Sequence, residues 1–143
     1  MGTKNVKVPT LTERVRRGDL FTGENNCQSR EAFAHVTSLW GVICLIALRD
    51  GTHRYSELRR KANGVSEKML TQTLQHLERD GFIRRTSYPV VPPHVEYDLT
   101  LLGEEVAKRV AALADWLEVN LSDIKAASLE RWSHMFEQLK AYL

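Results

Sequence analysis

Ser66-Glu67-Lys68-Met69-Leu70-Thr71-Gln72-Thr73-Leu74-Gln75-His76-Leu77-Glu78-Arg79-Asp80 is the stretch on which the fold turns. Leu70, Leu74 and Leu77 recur at spacings of four and three, so they share one face of a helix. Lys68, Gln72, Gln75 and Arg79 fall on the opposite face, with Thr71 at its flank. Ser66 suits the N-cap, where a side-chain oxygen satisfies an orphan backbone N–H, and Glu67 is favourable beside the positive end of the helix dipole. Gly81 stops the helix, which the pattern predicts over 67–80.

Upstream, Ser56 to Lys61 reads as a short basic helix closed by Asn63-Gly64, because glycine accepts the left-handed conformation that ends many helices. Two helices joined by a short glycine-containing turn, the second with a polar outer face, form a helix-turn-helix. Downstream, 82–88 reads as a strand. Pro89-Val90-Val91-Pro92-Pro93 cannot continue it, since proline lacks the backbone donor, and 94–99 reads as the returning strand. A β-hairpin at this point is a wing. Such an arrangement suits DNA: the major groove admits one helix whose polar face meets base edges, while flanking cations meet phosphates. Ser66, Lys68, Met69, Thr71, Gln72 and Gln75 are the candidate readers. Arg54, Arg59 and Arg60 on one side, with Arg84, Arg85 and His94 along the wing, are the candidate phosphate ligands. The bland alternative is a solvated helix face for Lys68, Thr71, Gln72 and Gln75, an ordinary charged surface for Arg59, Arg60, Arg84 and Arg85, and partial burial in the core for Met69.

Further out, a short helix is expected over 10–17 before Gly18, a loop over 22–26, and a helix over 30–37 capped by Ser29. A helix over 40–49 is apolar nearly all round and should be the buried centre. A short strand is expected at 52–54. Thr100 caps a helix striped by Val106, Val110, Leu113 and Leu117. A last helix over 123–142 carries Ile124, Trp132, Met135, Phe136 and Leu139 on one side.

Hydrophobic residues make up 43% and charged residues 27%, with a net charge of only +2. The charge is unevenly placed. Residues 49–88 hold nine Lys/Arg against five Asp/Glu, whereas 101–143 hold five against seven. A local basic surface can bind phosphates even when the whole chain is near neutral. The longest apolar stretch, about 39–48, is far shorter than the roughly 20 residues a bilayer requires. No secretory signal is visible, so a cytoplasmic protein with no membrane partner is expected. The two cysteines make no CxxC pair, and the five histidines show no ligand spacing, so no metal site is expected. No phosphate loop, no GxSxG element and no nucleophile–base pair can be placed; an enzyme, a catalytic site and a cofactor are not expected.

Residues 27 to about 118 resemble the HxlR family of bacterial winged-helix regulators, which is related to the MarR group. The resemblance rests on Cys27, Trp40-Gly41, Tyr55-Ser56-Glu57-Leu58-Arg59-Arg60, Val65-Ser66-Glu67-Lys68-Met69-Leu70-Thr71, Leu74, Leu77-Glu78-Arg79-Asp80-Gly81, Tyr88-Pro89, Val91-Pro92-Pro93, Val95-Glu96-Tyr97, and Leu99-Thr100 with Gly103. It implies a homodimer built through terminal helices, bound to an inverted-repeat operator in double-stranded DNA and acting most often as a repressor. The organisation expected is a mainly α fold with a small β-hairpin: an extension over 1–26, a winged helix-turn-helix over 27–100, and dimerisation helices over 101–143. Some members sense oxidants, quinones or aldehydes through a cysteine placed like Cys27. Two readings of Cys27 therefore stand, an inert interior thiol or a redox sensor beside a helix start and Arg30. Cys44 belongs to the core. Trp116, Trp132 and Phe136 are read as core or dimer contacts, with a small-molecule pocket as the alternative. The chain departs from the family at Leu39, where lysine is usual, and at Thr73 and Gln75, where arginines are usual. The latter two remove positive charge at or near the groove and leave room for a second reading, a winged-helix module that binds protein.

Overall fold

The computed structural model describes residues 8–20 and 26–142. The chain forms two compact units, Met1–Ala34 and His35–Leu143. In the first, α1 (Leu11–Arg17) opens on a reciprocal cap: Thr10 Oγ1 accepts from the Glu13 N–H at 3.2 Å, and the Glu13 carboxylate accepts from the Thr10 N–H at 2.9 Å. Arg14 is buried and donates to the Leu20 carbonyl. Helix α2 (Asn26–Thr37) contains the boundary between the units. It starts earlier than expected, so Ser29 lies inside the helix instead of capping it. Neither glycine nor proline stands between Asn26 and Thr37, and nothing there stops the helix from extending backwards. The loop expected over 22–26 lies outside the described residues apart from Asn26.

In the second unit the apolar segment forms α3 (Leu39–Leu48), capped by Ser38 Oγ, which accepts from the Gly41 N–H at 3.1 Å. Cys44, Leu45, Ala47 and Leu48 are buried. Around them pack Leu58 of α4 (Tyr55–Lys61), Leu70, Leu74 and Leu77 of α5 (Glu67–Arg79), and Ala107 and Val110 of α6 (Leu101–Val119). Burying such side chains is worth roughly 1.5–3 kcal/mol each, which sets this face of α5 inward. The sheet has three antiparallel strands in the order β1 (His53–Arg54), β3 (His94–Leu99), β2 (Ile83–Tyr88). His53 lies opposite Tyr97, and β2 pairs along its whole length from Ile83 opposite Leu99 to Tyr88 opposite His94. The wing is thus a hairpin backed by a third, two-residue strand.

Thr73 corrects one expectation. Only 7% exposed, it donates its hydroxyl to the Met69 carbonyl at 2.7 Å. It lies on the core side of α5, so the departure from arginine there takes no charge from the outer face; only Gln75 does. The apolar stripe of α6 divides in two. Ala107, Val110 and Ala111 are buried, whereas Leu113, Trp116 and Leu117 are exposed. Helix α7 (Leu121–Ala141) buries no residue among those described. No single described helix is long and apolar enough to cross a membrane.

Candidate nucleic-acid interface

Helix α5 is held at both ends. At its start Ser66 Oγ accepts from the Met69 N–H at 3.1 Å, so the cap expected from sequence is formed. Two residues one turn apart on α4 then grip Glu67. Tyr55 donates its hydroxyl to the Glu67 carbonyl at 3.2 Å, and Arg59 donates to the Glu67 carboxylate at 2.6 Å. The Tyr55 hydroxyl also lies 3.2 Å from Thr71 Oγ1. At the far end His35 Nδ1 meets Asp80 Oδ2 at 2.5 Å, and its ring stacks on His76 with centroids 4.1 Å apart. These contacts fix the angle at which α5 leaves the domain.

Between the anchors, Lys68, Thr71, Gln72 and Gln75 are all exposed. With Tyr55, Glu67 and His76 they line an open surface hollow of about 670 Å³. A second hollow, of about 470 Å³, brings Tyr55, Thr71 and Gln75 together with Arg85, Val95 and Tyr97 of the wing strands. The outer face of α5 and the root of the wing therefore border one continuous surface. Met69 stands beside it, 43% exposed.

The six side chains expected to meet phosphate fall into two groups. Arg59 is paired with Glu67, and Arg84 donates twice to the Asp98 carboxylate. That carboxylate, by hydrogen bonding and charge, raises the Arg84 pKa further above its ordinary value. His94 stacks on Tyr88 with centroids 4.7 Å apart and lies 3.5 Å from Glu96. A hydrogen bond to Glu96, and its charge, raise the Tyr88 phenol. Arg54, Arg60 and Arg85, by contrast, are exposed and pair with no carboxylate among the described residues. Their charges are the ones available without first breaking an ion pair, although exposed pairs are weak, at about 0–1 kcal/mol.

The two thiols differ. Cys27 is exposed in the first turn of α2, inside the helix rather than ahead of it. Cys44 is 1% exposed, and burial pushes its thiol up to about 12. Trp116, Trp132 and Phe136 are each more than half exposed and belong to no core.

Sequence reasoning placed the outward face of α5 and missed its supports. Tyr55, Glu67 and His76 line the surface, yet none was expected there; Glu67 was read only as a favourable charge at the start of the helix. Tyr55 did carry a signal, an aromatic hydroxyl at the start of the helix preceding the reader. The pairing of His35 with Asp80, across 45 residues, carried none.

A short helix, a turn, a second helix capped and solvated on its outer side, and a hairpin beside it define a winged helix-turn-helix protein of the DNA-binding regulator class. The chain belongs to the HxlR-like helix-turn-helix family, which matches residues 35–125. It is 60% identical over 122 residues to the HTH-type transcriptional regulator YtfH of Escherichia coli (strain K12), covering 85% of this chain and 95% of that one. Among solved structures, the transcriptional regulator ytfH from Salmonella typhimurium is 69% identical, with a TM-score of 0.67, covering 69% of this chain and 88% of that one. The redox regulator HypR in its oxidized form is 34% identical, with a TM-score of 0.59, over 66% of this chain and 97% of that one. The chain is thus a helix-turn-helix transcriptional regulator and not an enzyme.

Proposed function

We propose that this regulator acts in the cytoplasm as a homodimeric repressor on an inverted-repeat operator, with the two copies of α5 about one DNA turn apart, roughly 34 Å. One observation carries this reading. The Leu70, Leu74 and Leu77 side of α5 is buried, while Lys68, Thr71, Gln72 and Gln75 are exposed on the other side, beside Arg85 of the wing. Glutamine can pair with both major-groove atoms of adenine, and lysine meets guanine or a phosphate. Thr71 and the partly exposed Met69 flank them, and Ser66 serves as the cap that orients the first turn. Arg54, Arg60 and Arg85 meet phosphates directly; Arg59, Arg84 and His94 do so by exchanging a carboxylate for one. Helices α6 and α7 supply the dimer contact. The exposed Cys27 thiol is assigned the response to oxidants or electrophiles, supported by its accessibility and by the likeness to a redox regulator.

Mobility-shift titrations against genomic fragments test the reading. Reduced protein should give a salt-sensitive, sequence-selective complex. Gln72→Ala and Gln75→Ala should lose selectivity, whereas Arg85→Ala should weaken all DNA alike and lower the salt slope by about 1. Equal losses on specific and random duplexes for all three variants would overturn these roles. No selective complex in either redox state would overturn the function.

A further inference from the structure

The Tyr55–Thr71 contact fixes more than the position of α5. The Tyr55 hydroxyl lies 3.2 Å from two partners, the Glu67 carbonyl and Thr71 Oγ1. A phenol has one proton to give, and a backbone carbonyl can only accept. Both contacts are satisfied in one way: Tyr55 donates to Glu67, and Thr71 donates to Tyr55. The single Thr71 proton then points into the protein. What the exposed Thr71 hydroxyl offers outward is lone pairs alone.

We infer that Tyr55 is a specificity-determining residue that turns Thr71 into an acceptor-only reader, selective for a base bearing an amino group. The inference rests on α5 being the helix that enters the major groove. There, adenine N6 and cytosine N4 are donors, while guanine O6 and N7 and thymine O4 are acceptors. A free threonine hydroxyl rotates to suit either kind. With its proton committed to Tyr55, Thr71 hydrogen-bonds adenine or cytosine and leaves the acceptor atoms of guanine or thymine unpaired against its own lone pairs. Tyr55 does this from α4, where it borders both hollows beside Thr71 and Gln75 without belonging to α5 itself. It is a positioning residue for specificity.

The test is selection of bound duplexes from a randomised DNA library by the full chain and three variants, each first compared with the parent by circular dichroism. The parent should enrich adenine or cytosine at one position per half-site, and Thr71→Val should lose the preference there, locating the contact. Tyr55→Phe removes only the hydroxyl; it should admit guanine and thymine at that same position, lowering the enrichment about threefold to tenfold, with every other position unchanged. Thr71→Ser keeps a hydroxyl and should keep the preference, which carries the test without altering Tyr55 should the phenylalanine variant misfold. A guanine or thymine preference in the parent at the Thr71 position, an unchanged preference in Tyr55→Phe, or no position that responds to Thr71→Val overturns the inference while leaving DNA reading by α5 intact. No enrichment of any sequence by the parent overturns the reading on which it rests.

Discussion

Cys27 and Cys44 carry the same thiol in opposite surroundings, and the contrast can be measured. Cys27 is exposed; Cys44 is closed inside α3. Burial disfavours the thiolate, the form that reacts, so Cys44 should be doubly protected, by access and by charge. At pH 8 the native protein should release one equivalent of chromophore from Ellman's reagent and a second only in guanidinium chloride. Cys27→Ser should release none until it unfolds. Two prompt equivalents from native protein would place Cys44 outside the core. The same burial sets a pH limit. An unfolded cysteine ionises near 9.0, but Cys44 in the native chain holds its proton to about 12. Between these values the unfolded chain binds fewer protons than the native one, so stability falls as pH rises. Below 9 this thiol adds no pH dependence. Urea midpoints should therefore drop from pH 9 towards 11 in the parent and drop less in Cys44→Ala.

At the scale of the element, the wing meets α6 at Gly103. A Cβ built there would stand 1.8 Å from the Phe82 carbonyl oxygen and 2.9 Å from its carbon, both backbone atoms that cannot rotate away. The same junction is tied by Thr100, whose hydroxyl donates to the Gly81 carbonyl at 2.6 Å and whose N–H donates to Phe82 O at 3.1 Å. Gly103→Ala should cost at least about 2 kcal/mol, in the range of overpacking, and should displace the wing from α5. Ser66→Ala, which only removes the cap of α5, should cost about 1 kcal/mol. Thermal unfolding ranks the two, and a Gly103→Ala variant as stable as the parent would mean that the junction is loose. Helix α5 and the wing were legible in the sequence because local chemistry marks them: a serine cap, three leucines on one face, glycine stops, and prolines between two strands. The early start of α2 was not legible, since Asn26-Cys27-Gln28 has neither apolar period nor breaker. Thr73 was misplaced by family analogy, because its burial depends on what packs against α5 and not on α5 alone. The Tyr55–Thr71 and His35–Asp80 contacts join residues 16 and 45 apart, and no periodicity reports a contact of that kind.

At the scale of the whole molecule, the second unit leaves a large apolar surface uncovered at its C-terminal end. Trp116 of α6 and Trp132 and Phe136 of α7 are 58%, 56% and 59% exposed, and α7 spans 21 residues without one buried side chain. A helix in a protein gains most of its stability from packing an amphipathic face against a neighbour. Exposed apolar patches of this extent mark interfaces. On the proposed reading the cover is a second copy, which also places the second reading helix. Trp132→Glu combined with Phe136→Glu lies far along the chain from the α3–α5 core, so it should leave the monomer folded while breaking the pair. Sedimentation velocity should then show a species of about 16.4 kDa in place of one twice that mass. Binding to a two-half-site duplex should weaken by about a hundredfold or more, because the second half-site no longer binds as an intramolecular event, whereas affinity for a single half-site should barely change. If the double variant still sediments as a dimer, α7 is not the cover. If both duplexes lose affinity equally, the helices support the fold of the reading domain itself, and spacing between two copies of α5 is not what they provide.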